Sequence, residues 1–141
     1  MTRRECGENP LIEDMGGQPV ALNINNLTQR NRNFRTALWT GEHLQVTLMS
    51  IPVGSDIGVE MHADTDQFLR IEDGTGLVKF GKTKDDLFDH KRVNGNFAVF
   101  VPAGTWHNIV NIGNRPLKLY SVYAPPHHPF GTVQKTKYDP E

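Results

Sequence analysis

Pro102-Ala103-Gly104-Thr105-Trp106-His107-Asn108-Ile109-Val110-Asn111 is the stretch that decides the fold. Proline presets its own φ and glycine supplies backbone freedom, so Pro102 and Gly104 make a tight turn. The apolar and aromatic residues after it read as a strand. The turn thus delivers His107 to the start of a strand, where its ring is placed to point into a barrel. A second cluster lies upstream. Glu60 and His62 are two residues apart, so on an extended chain they share a face, with Val59 and Met61 on the other. Ala63-Asp64-Thr65-Asp66 turns the chain back and places Gln67 on the neighbouring strand, in line with Leu69 and Ile71.

Outward from these clusters the chain is a series of short β-rich runs divided by Gly and Pro. Residues 44–51 alternate Leu44, Val46 and Leu48 against Gln45, Thr47 and Met49, a period of two. Further strands are expected over 19–24, 34–40, 59–62, 67–71, 77–80, 97–101, 106–112 and 117–123. Residues 81–96 are charged and bounded by Gly and Asn, and read as a loop or polar excursion. No segment sustains a 3.6-residue period. Many short strands separated by turns argue for an all-β sandwich or barrel. Residues 1–18 hold few apolar anchors and read as a loosely packed N-terminal arm, 19–126 as the barrel, and 127–141 as a Pro/His-rich and then polar tail.

The spacings resemble the two sequence motifs of the cupin superfamily. The second motif, P-x-G-x2-H-x3-N, is met at Pro102, Gly104, His107 and Asn111. Four fixed positions at about 5% average usage would coincide in such a chain roughly one time in a thousand. The glycine that opens this motif is replaced by Asn96, with Gly95 beside it. The first motif, G-x5-H-x-H-x4-E-x6-G, keeps its spacing from Gly54 to Gly74, but its first histidine slot holds Glu60 and its glutamate slot holds Gln67; His62 keeps the second histidine slot. The chain is similar to small single-domain bacterial cupins of the mannose-6-phosphate-isomerase-like kind. Some cupin hydroxynitrile lyases also carry glutamine at the glutamate slot, but keep histidine where Glu60 stands.

The resemblance implies a double-stranded β-helix, or jelly-roll barrel, holding one divalent metal ion in one mouth through Glu60, His62, Gln67 and His107. The usual cupin ligands, three histidines and a glutamate, carry a net charge of −1; two histidines, a glutamate and a glutamine carry the same charge. The glutamate has in effect changed slots. Two nitrogen and two oxygen donors make a harder set, which favours Mn²⁺ or Fe²⁺, with Zn²⁺ and Ni²⁺ compatible. Each residue has a plainer alternative: Glu60 a surface acid, Gln67 a hydrogen-bonding group inside the barrel, His62 and His107 satisfied core histidines. The cupin resemblance implies a metal-dependent enzyme acting on a small oxygenated metabolite by isomerase, lyase or dioxygenase chemistry. The other class is a non-catalytic small-ligand-binding or sensor module. Cupins commonly dimerise, so a homodimer is expected.

Composition narrows the rest. The 141 residues fit one domain, and 37% hydrophobic with 22% charged residues reads as globular. A net charge of −1 with scattered lysines and arginines gives no footprint for nucleic acid. The single cysteine, Cys6, excludes an internal disulfide framework and has no histidine near it in sequence. No apolar run approaches a membrane span and no secretory leader is visible, so a cytoplasmic location is the default expectation. Pro125-Pro126-His127-His128-Pro129 reads as an extended, proline-stiffened exit from the last strand rather than a lid with metal-binding histidines. His43 and His90 read as solvated, Arg70 and Glu72 as an outward-facing pair, and Trp106, Tyr120 and Tyr123 as apolar packing.

Overall fold

The computed structural model describes residues 11–141; Cys6 and the first ten residues of the expected arm lie outside this range. The described chain runs α1 (Ile24–Arg30), β1 (Arg35–Thr40), β2 (Gln45–Ile51), β3 (Asp66–Asp73), β4 (Gly76–Gly81), β5 (Asp89–Val93), β6 (Ala98–Val101), β7 (Trp106–Asn111), β8 (Leu117–Ala124) and β9 (Val133–Gln134). All strand pairs are antiparallel. They form a six-stranded sheet in the order β6-β3-β8-β2-β1-β9 and a three-stranded sheet in the order β5-β4-β7. The fold is an all-β barrel of two facing antiparallel sheets, the jelly-roll architecture that the motif spacing implies.

Between the two sheets lies the main core. The larger sheet contributes Met49, Ile51, Leu69, Ile71, Leu117 and Leu119, and the smaller one Val78, Val93 and Ile109. The alternation in β2 resolves in an instructive way. Its more polar row, Gln45, Thr47 and Met49, faces the barrel interior, in register with Tyr123, Ser121 and Leu119 on β8. Val46 and Leu48 face outward, under Leu27 of α1 and Leu38. Both rows are therefore covered, and alternation alone does not say which one is inside.

Three local expectations are corrected. Residues 19–24 are not a strand: Asn23 caps the helix that begins at Ile24, its side chain accepting from the backbone N–H of Asn26 at 3.0 Å. Leu27 and Thr28 are the buried face of that helix. Seven residues are too few to show a sustained helical period. Residues 81–96 contain β5, which pairs with β4 from Gly76 to Phe80. His90, Lys91 and Arg92 are exposed on it, and such charge on an edge strand blunts pairing with other chains. It also hides the strand from a pattern-based reading. Residues 59–62 form only an isolated bridge, Glu60 opposite His107, rather than a strand. Arg70 and Glu72 do pair as expected, with Nε 3.0 Å from the carboxylate.

The motif's missing glycine has a structural account. Asn96 adopts φ of 74°, a left-handed conformation that asparagine tolerates better than other side chains. Its amide oxygen also accepts from Arg70 Nη2 at 2.9 Å. Asparagine thus does the glycine's conformational work and adds a hydrogen bond. No helix among the described residues is long and apolar enough to cross a membrane.

Candidate metal centre

Two chain segments are locked together to build the site. Glu60 and His107 exchange backbone hydrogen bonds, N to O at 3.0 and 2.9 Å. The turn between β6 and β7 closes with Thr105 N–H on the Pro102 carbonyl at 3.2 Å. Its Gly104, with φ of 86°, points its N–H at the carbonyl of His62 at 2.8 Å. The Pro-Gly turn therefore aims His107 and also holds the His62 segment in place. His107 Nδ1 lies 2.9 Å from the Thr105 carbonyl. A carbonyl only accepts, so Nδ1 carries the proton and Nε2 presents its lone pair.

That lone pair faces the right partners. His62 Nε2 lies 3.3 Å and His107 Nε2 3.5 Å from the same Glu60 oxygen, Oε1. One potential donor atom from each of the three residues lies within 4.8 Å of the others. Donors bound at about 2.1 Å to one ion lie about 3.0 to 3.5 Å apart, so the spacing fits a shared ion. His107 Nε2 is within ion-pair distance of Glu60, yet it is buried without a well-directed hydrogen bond. Such an orphaned acceptor is costly unless something else meets it. Burial works to raise the Glu60 carboxyl, but the two imidazoles beside it, His107 and His62, outweigh burial and hold it well below the usual range. Glu60 is therefore an ionised acceptor, as a ligand must be.

Gln67 stands on β3, opposite Val101 and Tyr123, and is 4% exposed. Its Nε2 donates to Ser121 Oγ at 2.7 Å, and its Oε1 is buried without a partner. One half of the amide is thus a barrel hydrogen bond, while the other half is an unmet oxygen donor.

Sequence reasoning missed a second tier of the site. The segment after the Ala124-Pro125 peptide does not run outward as expected. Gln45, fully buried on β2, accepts the backbone N–H groups of His127 and His128 at 3.1 and 2.8 Å, and donates to the His128 carbonyl at 2.8 Å. This clamp brings the His127 ring to 4.1 Å from that of His62, centre to centre. Tyr123, expected to be plain apolar packing, is 5.7 Å from both rings. Its hydroxyl lies 3.3 Å from His128 Nε2, and His128 Nδ1 is 2.7 Å from Glu141. Burial, then the charge of His62, lowers His127; burial, then the charge of Arg35, lowers His128 to about 4. Burial raises Tyr123. These groups are accordingly neutral near pH 7, and His128 meets Tyr123 and Glu141 through hydrogen bonds rather than an ion pair. The one signal available in sequence was Gln45, on the same strand face as Thr47 and Met49.

The geometry, together with the spacing, points to one family. The sequence profile described as "Cupin domain" matches residues 47–123. The chain belongs to the cupin family. It is 60% identical over 131 residues to YrkC of Bacillus subtilis strain 168, an uncharacterized protein, covering 93% of this chain and 70% of YrkC. It is 40% identical over 117 residues to the uncharacterized protein L612 of Acanthamoeba polyphaga mimivirus, covering 82% and 71% of the two chains. Among solved structures, it is similar to the crystal structure of BH2720 from Bacillus halodurans. The TM-score is 0.88, with 60% identity over 89% of this chain and 96% of that one. TT1209 of Thermus thermophilus shares the fold alone, at TM-score 0.63 and 21% identity, covering 74% of this cupin and 96% of TT1209. Within this small single-domain cupin, Glu60, His62 and His107 form a possible metal-binding triad.

Proposed function

We propose that this cupin is a metal-dependent enzyme acting on a small oxygenated metabolite, by isomerase, lyase or dioxygenase-type chemistry. The observation that carries the reading is the convergence of His62 Nε2 and His107 Nε2 on one ionised Glu60 oxygen. Gln67 Oε1 is the fourth donor in this reading, because it is buried with no other partner. A divalent ion held there supplies Lewis acidity toward a substrate oxygen. The protein's own contribution is positioning: Thr105 fixes the His107 tautomer, Ser121 fixes the Gln67 amide, and the Gln45 clamp seats His127 beside His62. The mixed N/O donor set supports Mn²⁺ first and Fe²⁺ next. The rest of the reading is a homodimer in the cytoplasm. Phe100, exposed on edge strand β6 and 5.1 Å from the Phe68 ring, supports the assembly.

The test has two measurements. Metal analysis of protein purified without chelators is expected to give close to one transition-metal ion per chain. A screen of hydroxy acids, sugars and diketones against that protein is expected to show turnover. Metal well below one equivalent, even after incubation with Mn²⁺ or Fe²⁺, rules out the metal. Ligand-induced melting shifts without turnover leave a binding or sensor module instead.

A further inference from the structure

Three cations far apart in the sequence, Arg32, Lys118 and Lys135, are gathered by the fold around one open cleft of about 520 Å³. That volume is in the ordinary range for a small-molecule site. The cleft lies where β2 finishes and β8 begins, walled by the segment leaving α1 and by the stretch that follows β9. Backbone bonds tie the walls together. Phe34 N–H donates to the Lys135 carbonyl at 3.2 Å, and Ser50 N–H to the Asn33 carbonyl at 3.1 Å. Lys118 stands opposite Ser50 in the register of β8 and β2. Gln45, beside the metal centre, is roughly 17 Å back along β2 from Ser50. The cleft is therefore a separate place in the molecule.

Charge in this cleft is one-sided. Among the described residues, no ion pair involves Arg32, Lys118 or Lys135. Lys118 is half-buried, and its ammonium donates to the Asn31 carbonyl, a neutral acceptor. Burial, then the charge of Arg32, lowers its pKa, so these two cations are close enough to repel. The nearby acids are already engaged. Asp73, across the sheet from Lys118, is held by Arg115 at 2.6 Å. Asp56 holds Lys137, the fourth cation of the lining. Asp139 accepts from the backbone N–H groups of Lys135 and Thr136 at 2.9 and 3.2 Å, which shapes the turn that carries Lys135 to Tyr138. None of the three carboxylates lines the cleft. Its other walls are apolar or hydroxylic: Phe34, Pro52, Pro116 and the Tyr138 ring, with Ser50 and Ser55 between them.

Like charges gathered against low-dielectric walls, with no counter-charge among them, focus a field that attracts anions. Several cations at once suit a multiply charged group. A phosphate monoester carries about −1.5 to −2 charge near pH 7 and three acceptor oxygens; lysines meet it as point charges and arginine through its fork. We propose that this cleft binds a small phosphate monoester, its phosphate between Arg32, Lys118 and Lys135 and its apolar or aromatic body against Phe34, Pro116 and Tyr138. The site is distinct from the Glu60–His62–His107 group and does not rest on the function proposed for it.

The test uses phenyl phosphate, which joins a dianion to a ring, with inorganic phosphate and phenol as its two halves. Calorimetric dissociation constants are measured on the full chain at fixed ionic strength. Wild type is expected to bind phenyl phosphate about tenfold or more tighter than either half. Arg32→Gln/Lys118→Gln/Lys135→Gln is expected to lose about tenfold or more in that affinity, because charge-assisted contacts are removed. Should this variant not fold, Arg32→Gln/Lys135→Gln, altered only at exposed positions, takes its place, with a loss of about threefold or more expected. Two controls locate the site. Lys84→Gln/Arg92→Gln removes exposed charges outside the cleft and should leave the affinity within about twofold; a loss equal to that of the cleft variant assigns the attraction to net charge and overturns the proposal. His107→Ala should also keep the affinity; a loss there places the phosphate at the metal centre, and the proposal fails while the proposed function stands. No binding to wild type at millimolar probe, no advantage over inorganic phosphate, or unchanged affinity in the folded cleft variant each overturns it as well.

Discussion

The barrel interior has two halves, written along the same strands. From one end to the other, β2 presents Gln45, Thr47, Met49 and Ile51; β8 presents Tyr123, Ser121, Leu119 and Leu117 in register; β3 presents Gln67, Leu69 and Ile71. Each row passes from polar to apolar within three or four inward positions. The apolar end contributes stability through burial. The polar end holds His62, His107 and Gln67, each with a buried atom lacking a hydrogen-bond partner, and such atoms cost stability. The contrast teaches that the two ends are built for different purposes.

The sharpest way to break this comparison is a pair of substitutions. Leu119→Ala, at a fully buried position in the apolar half, is expected to cost about 3 to 4 kcal/mol by urea denaturation. Metal stoichiometry of the folded fraction should not change. His107→Ala, in the polar half, is expected to weaken metal binding at least about a hundredfold, because it removes a donor outright. The stability of the metal-stripped protein should stay level or rise, since an unmet buried acceptor is gone. If His107→Ala destabilises the stripped protein as much as Leu119→Ala does, both halves are core and the division is wrong.

Protonation probes the second tier of the polar end. Burial and then the Arg35 charge lower His128 to about 4 in the fold, against about 6.5 in an unfolded chain. Between those values the unfolded chain binds the extra proton, so stability rises with pH. The contribution is complete above about pH 6.5 and is lost as pH falls toward 4. Its size is at most on the order of 3 kcal/mol, a net shift that already includes the opposing pull of the Glu141 carboxylate. Denaturation of metal-stripped protein across that window should show this slope, and His128→Asn should flatten it. An unchanged slope in the variant would place the titration elsewhere.

The barrel and its triad were legible in sequence for a physical reason. Motif spacing encodes backbone geometry: the turn that closes at Gly104 and the two-residue step from Glu60 to His62 are local, and local constraints survive in a linear string. The strand hidden in 81–96 was not legible because its side chains face water on an edge, where hydrophobic alternation has nothing to pattern. The helix at Ile24 is too short to show a period, and its start rests on a single cap, Asn23. His127 and His128 were misjudged for a different reason. They are held by Gln45, more than eighty positions away in sequence, a tertiary clamp that no local pattern announces.

The smallest expected effect tests whether motif geometry, rather than residue identity, carries the fold. Asn96 stands where the family pattern has glycine, and its positive φ is the property the slot requires. Asn96→Gly relieves the left-handed cost but loses the hydrogen bond from Arg70 and adds freedom to the unfolded chain. These terms oppose one another, so the net change should fall within about 0.5 kcal/mol. Asn96→Ala loses the same exposed hydrogen bond and keeps an ordinary Cβ at positive φ, so it should cost about 1 kcal/mol. Asn96→Val, branched at Cβ, should cost more still. The order Gly, Ala, Val in urea midpoints follows backbone conformation. Equal losses for Gly and Ala would instead assign the position's worth to the Arg70 contact, and the substitution in the motif would be a new interaction rather than a substitute for glycine.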